Sequence, residues 1–208
     1  RIERLRVNLE RLRWLPPARG GDRIAVNIAD FRLRHVAAGE RAMTMRAIVG
    51  ERYSQTPVLD STIQTIVVNP AWHVPRRIAV GELLPRLKRE PAALERRGFV
   101  AVPTDDGGSR GALAPTEVDW SRYGPDFFPF RLRQAPGPGN ALGRVQFRFP
   151  NRYSVFLHDT PSRHLFARDQ RTFSHGCIRL ERATALAERL LVDAGGGRLQ
   201  RFRAALES

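Results

Sequence analysis

The run Ser174-His175-Gly176-Cys177-Ile178-Arg179-Leu180 contains the only cysteine among 208 residues. The thiolate of a cysteine is a strong nucleophile, and a neighbouring imidazole shifts the thiol toward that form. Two imidazoles are within reach in sequence: His175, two residues upstream, and His158, nineteen residues earlier at the end of an apolar run. Gly176 permits a backbone conformation closed to residues with side chains. Successive N–H groups around Gly176 and Cys177 can then converge on one oxygen, as an oxyanion site requires. Most free cysteines are small buried hydrophobes, but a core cysteine needs neither a glycine before it nor a histidine before that. The chemistry these residues point to is nucleophilic catalysis through sulfur, with Cys177 as nucleophile and His158 as general base and later general acid. Arg179 falls on the same side as Cys177 if the chain is extended there. It could grip a substrate carboxylate in a two-pronged bond or form a structural ion pair. His175 could orient the site, hydrogen-bond a substrate carbonyl or raise thiolate character. Ser174 could order the loop through its hydroxyl. A zinc site built from His158, His164, His175 and Cys177 is the metal alternative, but the spacing fits no common structural zinc pattern.

His158-Asp159-Thr160 followed by Ser174-His175-Gly176-Cys177-Ile178-Arg179-Leu180 resembles the signature of the L,D-transpeptidase catalytic domain, the YkuD-like family. Asn69-Pro70-Ala71-Trp72-His73-Val74-Pro75, Val118-Asp119-Trp120-Ser121 and Phe149-Pro150-Asn151-Arg152-Tyr153 are similar to the large subgroup of that family with an extra capping insertion. The resemblance implies a mixed, mainly β fold: a β-sandwich-like catalytic domain with flanking helices and an inserted α+β lid. It also implies a two-step reaction on peptidoglycan stem peptides. The thiolate attacks the carbonyl of the third residue of a donor tetrapeptide, typically diaminopimelate, and D-alanine leaves. The thioester then passes to the side-chain amine of a neighbouring stem, giving a 3→3 cross-link. Carbapenems are implied as covalent inhibitors, no metal or organic cofactor is needed, and the location is extracytoplasmic, in the periplasm or cell envelope. His158, His175, Gly176, Cys177 and Arg179 carry over from the motif, and Trp72 and Tyr153 from the subgroup as substrate-binding residues. An L,D-carboxypeptidase, with water as acceptor, would need the same residues. A wall-binding module with a dead site is the alternative outside catalysis.

Positioning these groups requires a framework. Arg144 to Pro150 alternates, with Val145, Phe147 and Phe149 opposite Arg144, Gln146 and Arg148. After a turn at Pro150-Asn151-Arg152, Tyr153, Val155 and Leu157 face one way and Ser154, Phe156 and His158 the other. His158 is thus expected at a strand end, a rigid mount for a base. Upstream, one strand is expected from Arg23 through Leu33, a turn near Ala37-Ala38-Gly39-Glu40, and a second strand over Met43 to Val49, with both methionines filling core. Thr62 to Val68, a β-branched run, reads as another strand, ending where Pro70 and Pro75 impose a stiff path on Trp72. From sequence alone Trp72 suits core packing and a substrate wall equally, and His73 reads as a solvated loop imidazole.

Residues 82–142 differ in character and are expected to form an inserted lid, with 1–81 and 143–208 as the catalytic domain. Two helices are expected here, Glu82 to Arg89 and Pro91 to Arg97, with Gly98 as cap. A short strand, Phe99 to Val102, and a turn at Asp105-Asp106-Gly107-Gly108 follow. The remaining stretch is rich in proline, glycine and aromatics, too aromatic for disorder. At the N-terminus, Ile2, Leu5, Leu9 and Leu12 mark an amphipathic entry helix, stopped by Pro16-Pro17 and Gly20-Gly21. At the other end, Ala183, Leu186, Ala187, Leu190 and Leu191 mark a helix ended by Gly195-Gly196-Gly197, and Leu199, Phe202 and Leu206 a last one.

The net charge of +14 is almost wholly arginine, since Lys88 is the only lysine. Such a balance favours polyanions, yet the arginines are scattered with no basic run, so no nucleic-acid partner is expected. A GC-rich genome would give the same arginine-rich composition. No stretch approaches the ~20 apolar residues of a membrane span. The first residue is arginine, so the chain is expected to be a fragment of a longer precursor from which any signal peptide has been left out.

Overall fold

The computed structural model describes residues 2–14, 22–37, 42–104, 111–192 and 194–207. The sequence places turns at Ala38-Gly39-Glu40 and Asp105 to Gly108, and helix stops at Pro16-Pro17 and Gly20-Gly21. All of these lie outside the described residues. Strands β1 (Arg23–Asn27), β2 (Arg32–Val36), β3 (Met43–Gly50), β4 (Thr65–Val68), β5 (Trp72–His73), β6 (Phe99–Pro103), β7 (Phe130–Gln134), β8 (Val145–Arg148), β9 (Leu157–His158), β10 (Thr172–Ser174) and β11 (Ile178–Leu180) form two sheets. The fold is mixed and mainly β. The larger sheet has eight strands in the order β1-β2-β3-β11-β9-β8-β4, with β10 pairing β3 off that path. The smaller runs β5-β7-β6.

One expected strand is in fact two. The stretch from Arg23 to Leu33 breaks into the antiparallel pair β1 and β2. The Asn27 side chain accepts the Asp30 N–H at 3.1 Å, and Phe31 takes φ +53°. Asn and Asp favour such local turns over continued pairing.

The core of the larger sheet is Leu33, Met45, Ala47, Val145, Phe147, Leu157, Ile178 and Leu180, together with Ala183, Leu186 and Ala187 of helix α5 (Ala183–Val192) and Phe202 of helix α6 (Arg198–Glu207). Alternation puts Leu157, Ile178 and Leu180 on this inner face. Their neighbours Phe156, His158, Cys177 and Arg179 therefore lie on the opposite one. The amphipathic entry helix α1 (Ile2–Trp14) forms, with Ile2, Leu5 and Leu9 exposed.

A second core gathers around the smaller sheet: Leu87, Leu94, Phe99, Ala101, Trp120, Phe128 and Leu132, with Trp72, Val74 and Phe130 packed against it. The helix expected from Glu82 begins earlier. Short helix α2 (Arg76–Ile78) runs into a π-helical turn over Ala79–Leu83 and then α3 (Leu84–Arg89), followed by α4 (Pro91–Glu95). Gly98, at φ +76°, ends this region. β7 lies in the proline- and aromatic-rich stretch where no strand is expected. Phe130 and Leu132 alternate with Arg131 and Arg133, the period-2 pattern of a strand. The second sheet also takes in β5, so its packing starts at Trp72, ten residues before the expected lid boundary. The chain leaves the larger sheet at Asn69 and rejoins it at Arg144, and there the Asn69 N–H donates to the Arg144 carbonyl at 2.8 Å.

Candidate active site

The site is assembled where β9 and β11 run parallel at the centre of the larger sheet. The register pairs Ile178 with Leu157 and Arg179 with His158. Continued by one residue, it sets Cys177 beside Phe156. Paired residues of adjacent strands share a face, so Cys177, Arg179, Phe156 and His158 form one cluster. The Phe156 ring meets the His158 ring edge-on at 5.5 Å. β8 adds Gln146, the register partner of His158 and buried. The alternation pattern assigns Gln146 to the polar side with Arg144 and Arg148. That side is covered at Gln146 but not at Arg144 or Arg148, and Gln146 accepts from Arg148 Nε at 2.9 Å.

The loop before Cys177 is held by two hydroxyls. Ser174 Oγ donates to the Cys177 carbonyl and accepts the Gly176 N–H at 3.1 Å. Gly176 has φ +114°, a conformation that glycine adopts without strain. Its N–H is thus engaged by Ser174. On the far side, Thr56 Oγ1 donates to the Gly176 carbonyl at 2.8 Å and accepts the Gly50 N–H at 2.9 Å. Thr56 is buried. It lies in a loop with no motif, 120 positions from Gly176, so only the three-dimensional fold brings the two together.

Charge inside the cluster is unevenly distributed. Cys177 is part-buried, and that burial pushes its thiol pKa up. The Phe156 N–H and the Arg179 guanidinium oppose the shift by favouring the thiolate. Burial also lowers the Arg179 pKa, against the pull of Cys177 and Glu82. Arg179 Nε is buried without a hydrogen-bond partner. His158 is 4% exposed. Loss of solvation, then repulsion from Arg179, bring its pKa down to about 3, although the carbonyls of Asp159 and Leu142 favour the charged ring. Nδ1 lies 2.5 Å from the Asp159 carbonyl oxygen. At neutral pH the imidazole is therefore uncharged, with one nitrogen donating and one lone pair to accept a proton. The Asp159 carboxylate is used elsewhere, accepting the Arg144 N–H at 3.0 Å and Arg163 Nη1 at 2.8 Å.

His175 has a different partner from His158. Its ring is exposed, and Nε2 meets Glu82 Oε1 of the π-helical turn at 2.5 Å. No sequence motif marks Glu82. Trp72 and Tyr153 have different neighbours. Trp72 is half-buried against the second core, edge-on to Phe99 at 6.1 Å. Tyr153 is 45% exposed and lies under the Arg152 guanidinium at 4.9 Å. His73 is exposed on β5, and His164 lies in the 3-10 turn Arg163–Ala167. Among the described residues, no group of three or more His, Cys, Asp or Glu is arranged to hold a metal ion.

A strand-mounted neutral imidazole, a part-buried thiol and a guanidinium on one face make an arrangement suited to acyl transfer through sulfur. A family model described as the L,D-transpeptidase catalytic domain, YkuD, matches residues 21–195. A protein of Haemophilus influenzae named "Putative L,D-transpeptidase" is 37% identical over 193 residues, covering 93% of this chain and 38% of its own length. The chain thus spans well under half of that relative. The motif, the match over most of the chain and this relative agree: the chain belongs to the L,D-transpeptidase catalytic domain family.

Proposed function

We propose that this chain cross-links peptidoglycan, acting on tetrapeptide stems with Cys177 as nucleophile. In the first half-reaction, sulfur attacks the carbonyl of the third stem residue, the thiol proton passes to His158, and D-alanine leaves with a proton. In the second, a stem-peptide amine attacks the thioester, restoring the thiol and leaving a 3→3 cross-link. The observation that carries this reading is the shared face of β9 and β11, which supports Cys177, His158 and Arg179 together. The neutral state of His158 fits a base that accepts its proton as sulfur attacks, rather than a preformed thiolate–imidazolium pair. With the Gly176 N–H engaged by Ser174, the Cys177 N–H is the backbone donor we assign to the developing oxyanion. Arg179, lacking a partner for its buried Nε, suits a substrate carboxylate. Trp72 and Tyr153 would act as outer walls for the stem. A family acting on the cell wall fits an extracytoplasmic location, and no described helix is long and apolar enough to cross a membrane.

The test is mass spectrometry of products from a defined tetrapeptide. Cross-linked dimers with released D-alanine are expected. Tripeptide alone would assign the chain as an L,D-carboxypeptidase. Absence of any acyl-enzyme, with no mass increase on carbapenem treatment, would reduce it to a wall-binding module.

A further inference from the structure

We propose that Glu82 is a positioning residue for His175, and that the pair serves the second half-reaction, taking the proton from the incoming amine. This rests on the acyl-transfer reading above. The two imidazoles of the motif have different surroundings, which suit them to different work. His158 is buried, with its ring directed to backbone carbonyls. His175 is exposed, so a second substrate can reach it from solvent, and its Nε2 is 2.5 Å from the Glu82 carboxylate. With Nε2–H donated to Glu82, the lone pair falls on Nδ1. A carboxylate on one nitrogen fixes the tautomer and stabilises the ring when the other nitrogen gains a proton.

The placement of Glu82 supplies a second observation. The turn over Ala79–Leu83 is π-helical, a geometry that is rare and frequent at functional sites. Ala79, Leu83 and Leu84 are buried in the second core while Glu82 faces outward. Each residue of an α-helix turns by about 100°. The wider turn therefore changes where Glu82 points relative to the helix that follows. Glu82 is also close enough to Arg179 to act on its charge. The second sheet and its helices thus contribute a carboxylate to the thiol's surroundings.

In the step proposed, the amine nitrogen bonds to the thioester carbon and the C–S bond breaks. The proton shed by nitrogen passes to His175 Nδ1 and on to the departing sulfur, so that His175 ends neutral and Cys177 ends as a thiol. Glu82 keeps its charge throughout.

The experiment uses Glu82→Gln and His175→Ala in the intact chain, with a defined tetrapeptide donor. Acyl-enzyme formation is followed by intact mass, and transfer by dimer formation over a range of amine concentrations. If water proves to be the acceptor, tripeptide release is followed instead. The acceptor step in Glu82→Gln is expected to fall at least roughly tenfold further than acylation, as the loss of an acid–base contribution would. The thioester should accumulate, and the drop should lie in the maximal rate rather than in the amine concentration required. The double variant should be no slower than the worse single one, since the two residues act as a unit. Equal losses in both half-reactions, no loss in either, or multiplying losses in the double variant would overturn the assignment. A wild-type chain that never acylates at Cys177 would overturn the acyl-transfer reading instead.

Discussion

Thr56 and Gly176 are joined by a buried hydrogen bond, 2.8 Å from the threonine hydroxyl to the glycine carbonyl oxygen. The same hydroxyl accepts the Gly50 N–H, so one side chain ties the end of β3 to the residue before Cys177. Thr56→Val keeps the shape and removes both bonds. Two buried backbone groups then lack partners, a loss of about 1–3 kcal/mol for each such group. We expect a melting temperature lower by several degrees in calorimetry, with slower acylation of Cys177 at a temperature where the variant is fully folded. An unchanged melting point would mean that water replaces the hydroxyl.

His158 makes stability depend on pH. Its folded pKa is about 3, against about 6.5 in the unfolded chain. Between those values the unfolded state binds the extra proton, so acid favours unfolding. The contribution is fully present above about pH 6.5 and is lost as pH falls toward 3. Wild type and His158→Gln should therefore diverge in denaturant titrations, with a difference slope of up to about 1.4 kcal/mol per pH unit inside that window. Above pH 7 the difference should be flat. A flat difference throughout would mean that the folded ring titrates normally.

Arg179 favours the thiolate of Cys177 against the effect of burial. Arg179→Met keeps much of the length and removes the charge. The pH midpoint of Cys177 alkylation should move up, leaving the rate at pH 7 roughly tenfold lower, the lower end of what a neighbouring charge does to a pKa. An unmoved midpoint would confine Arg179 to substrate contacts.

Gly143 has φ +62°, and an added Cβ would lie 2.5 Å from Asp159 Oδ2 and 2.6 Å from Asp159 Cβ. Gly143→Ala must displace Asp159, whose carbonyl lies against the His158 ring. We expect a loss of roughly 1–3 kcal/mol from the backbone alone, read by denaturant unfolding, together with slower acylation. Full activity would show that the displacement stops short of the ring.

What the sequence displays and what it conceals separate along physical lines. Short-range patterns are legible: alternation around Val145 and Phe147, helical spacing from Ala183 to Leu191, and the Ser174 to Leu180 motif. Each depends on residues a few positions apart, where backbone geometry sets the period. Thr56 and Glu82 are not legible, since a threonine in a loop and a glutamate on a helix carry no periodic signal. Their roles come from partners 120 and 93 positions away. Gln146 is misleading for a related reason: alternation tells which face a residue takes, and not whether that face is covered. The break between β1 and β2 does carry a signal, in Asn27 and Asp30, which the apolar alternation around them masks.

The hydrogen-bonded neck between Asn69 and Arg144 has a consequence for how this architecture can vary. Since departure and return are adjacent, the β4–β8 pairing closes at the point where the chain leaves for the second sheet. Substitutions between these two points, including at the carboxylate beside His175, then leave the β9–β11 alignment in place. The carboxylate that holds His175 and the strand register that holds Cys177 can change independently within one polypeptide.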